Sequence, residues 1–152
     1  MRVIATTLPG AAIACDSIPL CAVMPIESRS DGLVAASVAL DATQRRGVSR
    51  RVRHRVALVV GELATNVYKH GGGGSIDIAI SSERVLVRAF DRGPGMHDAP
   101  PRNPGIARVV GPFPGGWGLE VVARAADVLE CGRDGAGRTC ITATLWREGA
   151  PR

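Results

Sequence analysis

The sequence predicts an α/β protein, a two-layer α+β sandwich in which a mixed, mostly antiparallel sheet of about five strands is covered on one face by three helices. Two kinds of pattern lead to this prediction. Apolar and polar residues alternate in several short segments, which is typical of half-buried strands. In longer segments the apolar residues recur every three or four positions, which is typical of helices that bury one face.

The composition fits a single domain. At 152 residues the chain can bury a sizeable core, and we assign residues 21–148 to one domain, with residues 1–20 as a leader or edge strand of unknown role. Aromatic residues make up only 3%, so the core must consist of Val, Ile, Leu and Ala. No apolar run approaches the ~18 residues of a membrane span, and no C-x-x-C pair occurs. We therefore expect a cytoplasmic protein with reduced cysteines and no membrane contact.

The first predicted elements are a strand at residues 21–27 and a helix that begins at Ser30–Asp31 and ends near Arg46. Gly47 then ends this helix, since glycine readily adopts the backbone that follows a helix. The buried face of the helix is predicted from four apolar side chains, Leu33, Val34, Val38 and Ala42.

A second, longer helix is predicted from Ser49 to His70, and it runs into the four glycines at 71–74. Glycine allows left-handed backbone without steric cost, so this stretch can turn the chain sharply. At about 100° per residue, one side of the helix collects an apolar face made of Val52, Val56, Val59, Leu63 and Val67.

The second half of the chain predicts a hairpin, a third helix and a second hairpin. Residues 76–80 and 84–91 alternate in polarity on either side of the turn at 81–83, and residues 127–132 and 139–146 are joined by the glycine turn at 133–137. The helix between the hairpins is expected to bury Leu119, Val122, Ala123 and Ala126. In the last strand we expect inward side chains at Ile141, Ala143 and Leu145, and outward ones at Thr142 and Thr144.

A polar stripe runs beside the apolar face of the second helix. Glu62, Asn66 and His70 are each four residues apart, and Lys69 lies close to Glu62. A carboxylate and a carboxamide in one row suit a hard cation such as Mg²⁺ and the phosphates that it carries. Lys69 is a candidate phosphate ligand, while His70 suits a ligand contact and a structural hydrogen bond equally. The alternative is an amphipathic helix whose polar residues merely face solvent.

Two glycine-containing stretches suit a nucleotide. Asp91 follows a strand and precedes Gly93 and Gly95, which would let a flat ring approach the backbone while the carboxylate accepts a hydrogen bond from the exocyclic amine of adenine. A plain turn is the alternative. The stretch 115–119 opens the third helix, and its free N–H groups make an anion site. Residues 96–117, rich in proline and glycine, form a candidate lid.

Basic residues are concentrated at 45–55, within a chain of formal net charge +5. Such a cluster can be a solvated helix start, a docking surface for an acidic partner or a nucleic-acid site. No aromatic residues for base stacking are interleaved with it, so we expect no nucleic acid as a partner.

Taken in order, the motifs resemble those of the Bergerat-fold (GHKL) ATPases: E-x-x-x-N-x-x-x-H, D-x-G-x-G, G-x-G-L and G-x-G-x-T. The resemblance implies ATP and Mg²⁺ as ligands, with Asn66 on the metal and Asp91 on adenine. It also implies the remaining nucleotide contacts: Gly93 and Gly95 at the base, Gly116, Gly118 and Leu119 at the lid and phosphates, and Thr139 beside the base.

Within that superfamily the chain is most similar to the bacterial anti-sigma and switch serine/threonine protein kinases of the RsbT/RsbW type, and closer to the RsbT side. The resemblance implies a kinase of a partner-switching stress-response or sigma-factor pathway that phosphorylates a serine on a STAS-domain antagonist. Glu62, one helical turn before Asn66, would be the catalytic base. A phosphatase or a sigma factor is the implied binding partner, and a homodimer is compatible with the resemblance.

The sequence is also compatible with three other functions. The first is an anti-sigma factor that binds and inhibits a sigma factor. The second is a non-catalytic, ATP-sensing binding module. The third is a nucleic-acid binder that uses the arginine cluster, whose affinity would fall steeply with salt.

Overall fold

The computed structural model describes residues 2–3, 18–93, 118–134, 136 and 138–148. Its helices are α1 (Arg29–Arg45), α2 (Arg50–His70) and α3 (Gly118–Ala125). Its strands are β1 (Arg2–Val3), β2 (Leu20–Ile26), β3 (Gly74–Ile80), β4 (Arg84–Asp91), β5 (Val128–Arg133) and β6 (Thr139–Trp146).

The strands form one sheet in the order β1-β5-β6-β4-β3-β2. All neighbouring pairs are antiparallel except β1 and β5, which are parallel. The prediction of a mostly antiparallel sheet with three helices in a two-layer α/β fold is therefore confirmed. The register places Gly74 opposite Asp91, and it places Phe90, the residue before Asp91, opposite Cys140, the residue after Thr139.

Helix α2 is the central element of the helix layer, since it packs on α1, on α3 and on the sheet. Ser49 caps its first turn by accepting the N–H of Val52 at 3.4 Å. Its predicted apolar face is confirmed, because Val52, Val56, Val59, Leu63 and Val67 are all buried. The inward positions of the sheet are also confirmed, with Ile76, Ile78, Ile141, Ala143 and Leu145 in the same core.

The predicted buried face of α1 is wrong in part. Leu33 and Val34 are 76% and 61% exposed, and the residues that α1 buries instead are Ala35, Ala39 and Thr43. Small side chains let α1 approach α2 closely, as shown by Gly32, where an added Cβ would lie 3.4 Å from the Cβ of Ala64. A close helix contact of this kind leaves no room for leucine on its inner face.

The start of α1 is also displaced from the predicted cap, because the N-cap residue is Ser28. The carboxylate of Asp31 accepts the backbone N–H groups of Glu27 at 2.8 Å and of Ser28 at 2.7 Å. These two hydrogen bonds lower the pKa of the Asp31 carboxyl. A carboxylate in the first turn also complements the positive end of the helix.

Thr142 and Thr144 lie on the sheet face opposite to the core, as predicted, yet they are only 3% and 5% exposed. In the register, Thr142 stands between Arg88 and Glu130, and these longer neighbours flank it on both sides. The threonine side chains on this face are therefore less exposed to solvent than simple alternation predicts.

Three described cysteines, Cys21, Cys131 and Cys140, are free thiols. Burial raises the pKa of the Cys131 thiol to about 11. Within the described part of the chain, no helix is both long enough and apolar enough to cross a membrane.

The corrected α1 face predicts that one substitution has very different effects at two sites. Leu33→Ala should lower the free energy of unfolding by less than about 0.5 kcal/mol, since the side chain is exposed. Leu63→Ala should lower it by about 2–5 kcal/mol, because it opens a cavity under α2. Urea unfolding of both variants measures the difference, and similar losses at the two sites would contradict the packing of α1 described above.

Candidate functional site

The first corner of the site is the contact between α2 and the beginning of α3. Glu62 and Asn66 lie half-buried on α2, and Gly118, the first residue of α3, packs directly on them. A Cβ added to Gly118 would lie 2.9 Å from Oε2 of Glu62 and 3.3 Å from Oδ1 of Asn66. Glycine at position 118 therefore lets the helix start approach the two polar side chains.

Asn66 is the most informative side chain in this corner. Its Nδ2 atom is buried and has no hydrogen-bond partner in the described part of the chain. Buried polar groups are nearly always paired, so the unpaired Nδ2 donor suits an acceptor such as a phosphate oxygen. Because a carboxamide offers both a donor and an acceptor, it can face either a phosphate oxygen or a metal ion.

The orientation of α3 is fixed at its other end. Arg55 of α2 donates from Nε to the carbonyl of Ala125 at 2.8 Å and from Nη2 to Asp127 Oδ1 at 2.8 Å. Asp127 in turn accepts the N–H of Trp146 at 2.8 Å. Helix α3 thus runs antiparallel to α2, and its positive N-terminal end points at Glu62 and Asn66.

The second corner is where the glycines after α2 meet the end of β4. Gly72 and Gly73 have φ values of +63° and +94°, so the predicted left-handed backbone is present at these two positions. Gly71 has an ordinary φ of −93°, and glycine is needed there for a different reason. A Cβ on Gly71 would collide with the Cβ of Asp91, and one on Gly74 would collide with the carbonyl of Phe90.

Asp91 is held at this corner by the loop that follows it. Its Oδ1 accepts the N–H of Gly93 at 3.0 Å, while the N–H of Arg92 donates to the carbonyl of Gly73 at 3.1 Å. Gly93 lies against the helix end, since a Cβ there would be 3.0 Å from the Cα of Gly71. The Asp91 carboxylate therefore does make the hydrogen bond of a turn, and it does so where three glycines, Gly71, Gly74 and Gly93, pack closely together.

The two corners lie at the same end of the molecule. Asn66 and Gly71 are five residues apart on α2, which corresponds to roughly 7.5 Å along the helix axis. Gly93 and Gly118 flank residues 94–117, so both ends of that segment are at the site. The predicted lid at residues 96–117, with Gly116, lies outside the described residues, and so does the predicted base contact Gly95.

The structure does not join every predicted residue to the site. The side chains of Lys69 and His70 are exposed, and no hydrogen bond or ion pair links them to another described site residue. The side chain of Leu119 is buried in the core, so this residue could offer only its backbone to a nucleotide. Sequence reasoning missed the ion pair between Arg92 and Glu27, which lies beside the Gly73 turn, because the two residues are far apart in the chain.

The donor set fits Mg²⁺·ATP. The described residues contain no cluster of three or more His, Cys, Asp or Glu that could enclose a metal ion. A metal held here would therefore take one oxygen from Asn66 and most of its ligands from phosphates and water, which is the usual preference of Mg²⁺. The helix start at Gly118 offers N–H groups to the phosphates, and the Asp91 carboxylate is an acceptor for the exocyclic amine of a base.

Comparison with known proteins agrees with this geometry. The histidine kinase-like ATPase domain matches residues 27–145, which is well over half of the chain. No curated protein matches the sequence. The matched region begins at the end of β2 and ends in β6, so it contains both corners of the site. The chain therefore belongs to the histidine kinase-like ATPase family, the GHKL type, and has the ATP-binding fold of that family.

Proposed function

We propose that this protein is an ATP-dependent serine/threonine protein kinase of a bacterial partner-switching pathway, acting on a serine of a STAS-domain antagonist. The observation that supports it best is the contact of Glu62 and Asn66 with the start of α3 at Gly118. It combines a carboxylate, an unpaired carboxamide and a helix N-terminus within one small volume. Positioning and charge neutralisation are the main requirements of phosphoryl transfer.

In the proposed mechanism each group has one role. Asn66 would hold Mg²⁺ through its side-chain oxygen, and the ion would neutralise phosphate charge. The N-terminal amides of α3 bind phosphate oxygens. Glu62 accepts the proton of the serine hydroxyl as the serine oxygen bonds to the γ-phosphorus of ATP, while the bond from that phosphorus to the bridging oxygen breaks and ADP leaves. Asp91 accepts a hydrogen bond from the amine of adenine and so selects the base.

The second candidate is binding of a partner protein, either a sigma factor that the protein inhibits or a phosphatase that it activates. It is favoured by exposed apolar side chains on α1 and β2, since such surfaces often bind other proteins. These side chains are Leu20, Val23, Leu33, Val34 and Leu40. Partner binding is compatible with kinase activity, and a purely ATP-sensing module would bind both nucleotide and partner without transfer.

The function is tested by incubating the purified protein with labelled ATP and a panel of STAS-domain antagonists encoded near its gene. Transfer of label to a serine of one antagonist supports the kinase proposal. Tight ATP binding together with partner binding, but with no transfer to any antagonist, would instead favour the ATP-sensing module.

Glu62→Ala should abolish phosphoryl transfer, and the isosteric Glu62→Gln should reduce it by about 10²- to 10⁴-fold, because no base remains to accept the serine proton. ATP affinity should stay within a factor of about three in both variants. Single-turnover transfer and equilibrium ATP titration separate the two effects. Full transfer by Glu62→Gln would rule out Glu62 as the base.

Asp91→Asn should weaken ATP binding by about 10- to 150-fold, because a charge-assisted hydrogen bond is lost and the carboxamide presents a donor to the amine of adenine. The asparagine keeps an oxygen for the N–H of Gly93, so the turn should persist. Calorimetric titration with ATP measures the loss, and the unfolding midpoint serves as the control. Unchanged affinity would leave Asp91 with its turn role alone.

A further inference from the structure

A groove of about 540 Å³ lies between α2 and α3, away from the proposed nucleotide contacts. Its lining residues are Arg51, Arg55, Leu58, Val121, Arg124, Ala125 and Asp127. Leu58 is 47% exposed, which is unusual for a leucine between two packed helices. The groove is therefore an amphipathic surface, with an apolar centre and arginines around it.

The groove leads towards Glu62. Positions 51, 55, 58 and 62 of α2 follow one another at intervals of four, three and four, so they share one face of the helix. Leu58 thus lies one turn before Glu62, and Arg51 lies roughly 16 Å from Glu62 along the axis. Because α3 is antiparallel to α2, its first residue, Gly118, contacts Glu62 one helical turn beyond the Leu58 end of the groove.

The arginines of the groove differ in how well they are paired. Arg55 donates hydrogen bonds to the carbonyl of Ala125 and to the carboxylate of Asp127. Arg51 is exposed and has no ion pair among the described residues. Among the described residues, Arg124 pairs with Glu120 on its own helix and with no other acid, and its side chain is 76% exposed, so that pair contributes little. Three arginines against one aspartate leave the lining with an excess of positive charge.

The excess of positive charge destabilises the start of α2. Its first turn contains no acidic residue, and Arg50, Arg51 and Arg53 lie at the positive end of the helix dipole. Cations at that end destabilise a helix, and acidic side chains there would stabilise it. Carboxylates of a bound protein would offset this destabilisation. The charge of the groove is therefore complementary to an acidic partner.

We propose that the groove binds an acidic, amphipathic segment of the protein substrate, with an apolar side chain on Leu58 and carboxylates at Arg51 and Arg124. This proposal rests on the proposed kinase function, and it deepens it by locating where the substrate docks. The bound segment would run along α2 and bring the accepting serine to Glu62. Nucleic acid fits less well, since the lining contains no aromatic side chain for stacking and includes Asp127.

The test compares two adjacent arginines on the first turn of α2. Arg51→Glu and Arg50→Glu change the net charge equally and place the same acid at the same helix end, but only Arg51 lines the groove. Arg124→Gln removes the charge of the other exposed arginine of the groove without reversing it. Each variant is assayed for transfer to the antagonist panel, for equilibrium binding of fluorescently labelled antagonist, and for ATP affinity.

We expect Arg51→Glu to raise the KM for the antagonist by about 10-fold or more, Arg124→Gln to raise it about 3-fold, and Arg50→Glu to change it less than about 2-fold. The kcat and the ATP affinity should not change in any of them. Equal KM values for Arg51→Glu and wild type, or equal losses in Arg51→Glu and Arg50→Glu, would overturn the proposal.

Failure of the kinase proposal is recognised separately. If wild type transfers no phosphate, antagonist binding that is weakened by Arg51→Glu and not by Arg50→Glu still supports the groove as a docking site. Absence of antagonist binding by wild type overturns the docking proposal as well. A 20-nucleotide single-stranded RNA is included as a probe. If Arg51→Glu weakens RNA binding and leaves antagonist binding unchanged, the proposal is also overturned.

Discussion

The packing of Gly118 against Glu62 and Asn66 determines how the rest of the structure can act. It holds the positive end of α3 beside a carboxylate and an unpaired carboxamide, and any larger residue at position 118 would push the helix start away. At the other end of α3, Arg55 fastens the helix to α2. The first corner of the site therefore depends on two contacts of α3 with α2, one at each end of α3.

Helix α2 sets the spacing of the whole site. Its buried face anchors it to the sheet, its polar stripe carries Glu62 and Asn66, and its C-terminal glycines meet Asp91 at the end of β4. A nucleotide held between Asp91 and Asn66 would lie along the last turns of this helix. The same helix continues towards Arg51 through the face that lines the groove, so the proposed nucleotide and substrate positions both lie along one helix.

Much of this arrangement follows from local sequence patterns. The buried face of α2 and the strand at 76–80 were predictable because many apolar residues repeat with one period. The α1 face was not, because the contact that buries Ala35 and Ala39 uses small residues and leaves Leu33 exposed. Gly71 carries no sign of its role in the sequence, since that role is contact with Asp91 across the fold. The groove is equally hidden, because it forms only when α3 packs on α2.

Whether Asn66 and Asp91 hold two ends of one nucleotide is tested most directly by NMR of the wild-type chain with a non-hydrolysable ATP analogue and Mn²⁺ in place of Mg²⁺. If both residues hold one nucleotide, we expect strong paramagnetic broadening of the Asn66 side-chain amide and the Gly118 N–H, weaker broadening at Gly93, and none at Leu33. A sharp Asn66 amide in the nucleotide-saturated protein, or broadening centred on another surface, would contradict it.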